Sequence, residues 1–139
     1  MLLDGKNTSD SLISGTALIK KAKEISNINV KNVQEIFELN KDSNIGLKEI
    51  IEEFKNNLTV LLLNITYTIN PDIIVLGGGV IKAKEYFLND VINEFMLKSK
   101  NLEKNTIITT AILEEPGVIG AALLAKCKEE NCIKTRVEN

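Results

Sequence analysis

Three consecutive glycines, Gly77, Gly78 and Gly79, follow directly on the apolar run Ile73 to Leu76 and precede a stretch of helical apolar spacing. Where a strand hands over to a helix in an α/β fold, missing side chains let the backbone approach a phosphate or a flat ring. The same triplet could serve as a tight turn, yet each glycine costs roughly 1 kcal/mol in chain entropy relative to alanine. That cost asks for compensation. Two common phosphate cradles do not fit: a dinucleotide GxGxxG starting at Gly77 needs glycine where Lys82 stands, and Gly-Lys occurs only at Gly5-Lys6, followed by Asn7 rather than Ser or Thr.

The second candidate runs from Pro116 to Ala125, where Gly117, Gly120, Ala121 and Ala125 leave one side of a helix start almost bare. Such a stripe suits close packing against another element, its commoner use, or against a ligand. Glu114 and Glu115, just ahead, could hold a ribose or complement the helix dipole. Histidine is absent, and Cys127 and Cys132 are the two cysteines. Histidine-dependent chemistry is therefore excluded within these residues, as is a four-ligand Cys/His zinc site. In a cytosolic chain the two cysteines read as reduced thiols or, less commonly, as a redox pair.

The elements that must position these residues follow from periodicity. Ser14 is placed to cap a helix carrying Leu18, Ala22 and Ile25 on one face, and Val33, Ile36 and Phe37 make the stripe of a second helix over 31 to 40. From 44 to 69, apolar residues at 47, 50, 51, 54, 58, 61, 62, 65 and 69 predict one long helix, about 37 Å in length. Asn70-Pro71-Asp72 ends it, because proline disfavours helical geometry in the residue before it. Ile73 to Leu76 predicts a strand, Ala83 through Phe95 a helix, Thr106 to Leu113 a second strand, and Pro116 to about Lys128 a final helix. This order predicts an α/β fold: a parallel βαβα unit preceded by helices.

A length of 139 residues, against about 150 for a typical domain, reads as a single domain over 1–139. With 44% hydrophobic and 26% charged residues the chain should bury a real core. A net charge of −2 lacks the basic footprint of nucleic-acid binding. No apolar run approaches the ~20 residues that span a bilayer, and no signal segment opens the chain. The expected location is the cytoplasm.

Asn-Pro-Asp-Ile-Ile-Val-Leu-Gly-Gly-Gly-Val at 70 to 80, with Gly-Val-Ile-Gly-Ala-Ala-Leu-Leu-Ala at 117 to 125 and Ser-Gly-Thr-Ala-Leu at 14 to 18, resembles the ROK family of bacterial sugar kinases and sugar-responsive transcriptional repressors. The resemblance implies the actin and hexokinase ATPase superfamily, with this chain as the helix-rich C-terminal part of an RNase-H-like lobe. It implies nucleotide binding, ATP with magnesium, at Gly77, Gly78 and Gly79, and a packing role near the hinge for Gly117, Gly120 and Ala121. The family's His and Cys-x-Cys-Gly-x-x-Gly-Cys-x-Glu segment would precede Ser14, where this chain has Leu2-Leu3-Asp4-Gly5-Lys6-Asn7-Thr8-Ser9-Asp10. The zinc ligands are missing, and Asp10 falls about where the family's sugar-binding Glu would lie.

The family's phosphate-binding Asp-x-Gly-x-Thr segment and catalytic Asp would lie upstream of residue 1, so the resemblance covers the C-terminal half of the fold. It implies the nucleotide-facing portion of a glucokinase-like enzyme, phosphorylating a hexose such as glucose or an N-acetylhexosamine, inactive alone and working as a homo-oligomer, a dimer, or with the missing lobe. The alternatives are the effector portion of a ROK-type transcriptional regulator and a helical assembly module that binds no nucleotide. Retention of the triple glycine leans toward the kinase. Because the zinc ligands are gone, elemental analysis of the purified protein should find no stoichiometric zinc; one zinc per chain would show that other ligands have replaced them.

Overall fold

The computed structural model of the chain describes residues 8–26, 28–40, 45–100, 106–112 and 116–129. In chain order these form α1 (Ser9–Ile13), α2 (Gly15–Ser26), α3 (Val33–Asn40), α4 (Ile45–Ile69), β1 (Ile73–Leu76), a 3₁₀ segment (Gly79–Tyr86), α5 (Leu88–Lys98), β2 (Ile107–Thr110) and α6 (Pro116–Glu129). None of the described helices is long and apolar enough to cross a membrane.

The 25-residue α4 is the axis on which α1, α2, α3 and α5 pack. Leu47, Ile50, Ile51, Phe54, Leu58 and Leu62 are buried along it. The same stripe continues through Thr59 and Thr66, each 1% exposed. Hydroxyls would be costly there, but each donates back to the carbonyl one turn earlier, Thr59 to Lys55 at 2.9 Å and Thr66 to Leu62 at 2.8 Å, which removes the penalty. Asn70 ends the helix in the left-handed conformation, φ 51°, which asparagine tolerates better than most residues.

Ion pairs pin α4 to its neighbours. Lys21 of α2 reaches Glu53 at 2.6 Å, and Lys55 reaches Asp90 of α5 at 2.7 Å and Glu52 at 3.1 Å. Burial works to lower the Lys55 pKa, but hydrogen bonds to Asp90 and Glu52 outweigh it and hold the ammonium above its usual range. The lysine therefore stays charged at neutral pH.

β1 and β2 pair in parallel, with Ile73 opposite Ile107 and Leu76 opposite Thr110. Ile74, Leu76 and Ile108 point inward and pack against the core, while Ile73, Val75 and Ile107 on the other face are 54%, 59% and 59% exposed. Alternation along each strand produces this division. The parallel pair and the preceding helices match the architecture expected from the sequence.

Four local differences have physical causes. A short helix, α1, precedes the expected one, capped by Thr8, whose hydroxyl accepts the Ser11 N–H at 3.3 Å. The helix expected from Ala83 through Phe95 is instead a 3₁₀ segment followed by α5. Ala83 leaves helical geometry at φ −102°, ψ 16°, and Phe87 at φ −139° breaks the path as its ring is buried. The second strand is shorter than Thr106 to Leu113, and Leu113 lies outside the described residues. Ile25, expected on the apolar face of α2, is 58% exposed, one turn beyond the last buried residue of that helix.

Phe37, Phe54, Tyr86 and Phe87 gather where α3, α4 and the end of the 3₁₀ segment meet. Phe37 stacks on Phe87 at 5.7 Å and on Tyr86 at 5.6 Å, and Phe54 meets Phe87 edge-on at 5.0 Å. Phe87 is 1% exposed, so Phe87→Ala should cost about 3–5 kcal/mol. Urea unfolding should show the midpoint falling sharply, with Phe87→Leu losing much less.

Candidate functional site

The site is built around the glycine turn. β1 delivers the chain to Gly77, and all three glycines are exposed. Gly78 has φ 95°, ψ 179°, a region open almost only to glycine. Its carbonyl accepts the Ile81 N–H at 3.1 Å, which starts the 3₁₀ segment. Gly78 is thus required by the backbone of this chain.

Gly77 and Gly79 are not required in the same way. Neither has positive φ. A Cβ on Gly79 would meet nothing within 4 Å, and one on Gly77 would lie 3.8 Å from the Ala111 Cβ, an ordinary contact. The fold would accept side chains at both positions. The bare backbone they leave faces outward.

Beside the turn lies a cleft of about 390 Å³, within the range of small-molecule sites. Gly77, Gly78 and Gly79 form one wall, Ser9, Asp10 and Ser14 another, and Phe54, Leu58, Leu76 and Phe87 contribute apolar lining. Asp10 and the glycines are far apart in sequence, and α1 brings them into one cavity. Ser14 is held there by capping α2, its hydroxyl accepting the Ala17 N–H at 3.2 Å. Gly15, next to it, permits a close approach: a Cβ there would lie 3.0 Å from Val33 Cγ2 and 3.5 Å from Val80 Cγ2. The start of α2 is thereby held against the residue that follows the turn.

The residues present suit a nucleotide chemically: an uncovered peptide surface for a ring or phosphate, an apolar floor, and a carboxylate able to accept hydroxyl hydrogen bonds. Periodicity did not identify Ser9, nor the cleft-facing roles of Phe54 and Phe87. The aromatic positions read only as core, because being buried and lining a cleft leave the same mark on a sequence.

Gly117, Gly120 and Ala121 are not at this cleft. They lie on α6, Gly117 and Ala121 exposed, and a Cβ on Gly117 or Gly120 would meet nothing within 4 Å. The close packing expected of them is not made within the described residues. Glu114, Glu115 and Cys132 lie outside those residues, as do positions 2–7 of the segment expected to have lost its zinc ligands. Cys127 lies on α6, but its side chain is not described. Among the described residues no group of three or more His, Cys, Asp or Glu could hold a metal ion.

The model of the ROK family matches residues 6–128. An uncharacterized protein of Clostridium perfringens (strain 13) is 31% identical over 130 residues, which are 87% of this chain and 42% of that protein. Among solved structures, a ROK family protein from Streptococcus pneumoniae TIGR4 in complex with sucrose superposes with a TM-score of 0.72 at 26% identity, over 90% of this chain and 44% of that one. The ROK hexokinase from Thermus thermophilus shares the fold with a TM-score of 0.70 at 22% identity, over 84% of this chain and 39% of that one. The chain spans less than half the length of each of these relatives.

The geometry separates the glycines experimentally. Gly78→Ala should destabilise by about 1–3 kcal/mol through backbone strain, whereas Gly79→Ala should be neutral or stabilising by up to about 1 kcal/mol. Denaturant titration of the two variants checks the difference.

Proposed function

Because the chain belongs to the ROK family, we propose that it forms the nucleotide-facing C-terminal portion of an ATP-dependent sugar kinase. The adenosine moiety lies along Gly77 to Gly79, and Asp10 accepts a hydrogen bond from a sugar hydroxyl across the same cleft. ATP, with magnesium, supplies the phosphoryl group, which passes in line to a hydroxyl of a hexose such as glucose or an N-acetylhexosamine. This chain contributes binding and orientation. No Asp-x-Gly-x-Thr segment occurs in it, so the phosphate-binding loop and the base come from elsewhere in the complete fold.

One observation carries the reading. Gly77 and Gly79 are bare where the fold does not need them to be, and they wall a cleft that also holds Asp10. Close approach by something outside this chain explains both absences. An assembly module that binds no nucleotide leaves them without a purpose.

On this reading residues 1–139 alone have no sugar kinase turnover, because positioning and charge stabilisation by the missing segments account for most of the rate. They should also self-associate as a dimer, since Ile73, Val75 and Ile107 leave one face of the sheet uncovered.

Gly79 is a better probe than Gly78, whose substitution would strain the turn itself. Gly79→Val in the complete protein should weaken binding of a non-hydrolysable ATP analogue by about tenfold or more, roughly 1.4 kcal/mol, with the unfolding midpoint unchanged. Unaltered binding by a folded Gly79→Val protein would rule the reading out.

A further inference from the structure

We infer that Lys84 contacts the polyphosphate of a nucleotide bound at the glycine turn, an inference that rests on the nucleotide reading above. Lys84 Nζ donates to the Thr110 hydroxyl at 3.2 Å. Thr110 is the last residue of β2 and the register partner of Leu76, so the two side chains stand on the same face of the sheet. Leu76 lines the cleft, and Gly77 follows it. Adjacent strands lie about 4.8 Å apart, so with the reach of the Thr110 side chain and its hydrogen bond the ammonium lies at most roughly 10 Å from the Leu76–Gly77 junction, just outside the residues that line the cleft. Both sit at the carboxyl end of a parallel sheet, where α/β folds bind ligands.

The position of Lys84 is keyed to the turn. It rides on the 3₁₀ segment that begins at Gly79, and its carbonyl accepts the Phe87 N–H at 3.2 Å, with Phe87 itself buried in the aromatic cluster. Its charge is also available. Lys20, Lys21, Lys55 and Lys98 each pair with a carboxylate, whereas among the described residues Lys84 holds only the neutral Thr110 hydroxyl. Exchanging that hydroxyl for a phosphate oxygen turns a neutral-acceptor hydrogen bond into an ion-paired one.

The test compares wild-type complete protein with Lys84→Ala and Lys84→Arg, titrating each with a non-hydrolysable ATP analogue and with adenosine. Lys84 is exposed, so both variants should fold, as circular dichroism will check. Lys84→Ala should raise the Kd of the ATP analogue about three- to tenfold, steepest at low salt, and leave adenosine within about twofold; Lys84→Arg should restore most of the loss. Equal affinities for wild type and Lys84→Ala, or an equal loss for both ligands, overturns the assignment while the nucleotide reading stands. A wild-type protein that binds neither ligand overturns the nucleotide reading and this inference with it.

Discussion

The contact between Phe87, Phe54 and Phe37 is the constraint on which the rest depends. Phe87 follows the 3₁₀ segment, Phe54 sits midway along α4, and Phe37 belongs to α3, so three parts of the chain meet at one set of rings. Edge-to-face and offset-stacked geometries add about 0.5–1.5 kcal/mol per pair to the burial of apolar area. Burying Phe87 requires the chain to break from helical geometry at that residue, and the break sets the direction in which α5 leaves. It also anchors the segment that starts at Gly79. The glycine turn is held in place by a ring eight residues downstream.

The same rings connect stability to the cleft. Phe54 and Phe87 are core residues whose edges line the cavity, so the floor of the site is as rigid as the hydrophobic interior. Polar groups on the other wall are held by local means: Thr8 caps α1, Ser14 caps α2, and Gly15 lets α2 press against Val33 and Val80. The cleft is thus framed by packed elements and caps of the chain itself, and such preorganisation would lower the ordering cost of binding at the proposed site.

Within the triplet, the glycines divide the work. Gly78 answers to the backbone, which bends there into a region closed to other residues. At Gly77 and Gly79 no described residue crowds the position a side chain would take. The strand face of Ile73, Val75 and Ile107 is likewise exposed among the described residues, 54%, 59% and 59%, and the chain spans less than half the length of the solved structures it matches.

The sequence by itself determined the helices with strong apolar periodicity, the long α4 and its stop at Asn70-Pro71, the two short strands, and the glycine turn between strand and helix. Those features depend on neighbours within a few residues, and local spacing records them. Only the tertiary structure decided that Asp10 shares a cleft with Gly77, that Thr59 and Thr66 enter the core by bonding their own helix, and that Lys84 reaches the end of β2. Only it showed that, among the described residues, α6 makes no close contact at Gly117 or Gly120. Helical spacing through Ala83, Phe87, Val91 and Phe95 is shared by a continuous helix and by a broken one whose apolar residues still face the same core. Burial selects residue type at each position without recording the path of the chain between them, and that path was fixed by where the Phe87 ring could be packed.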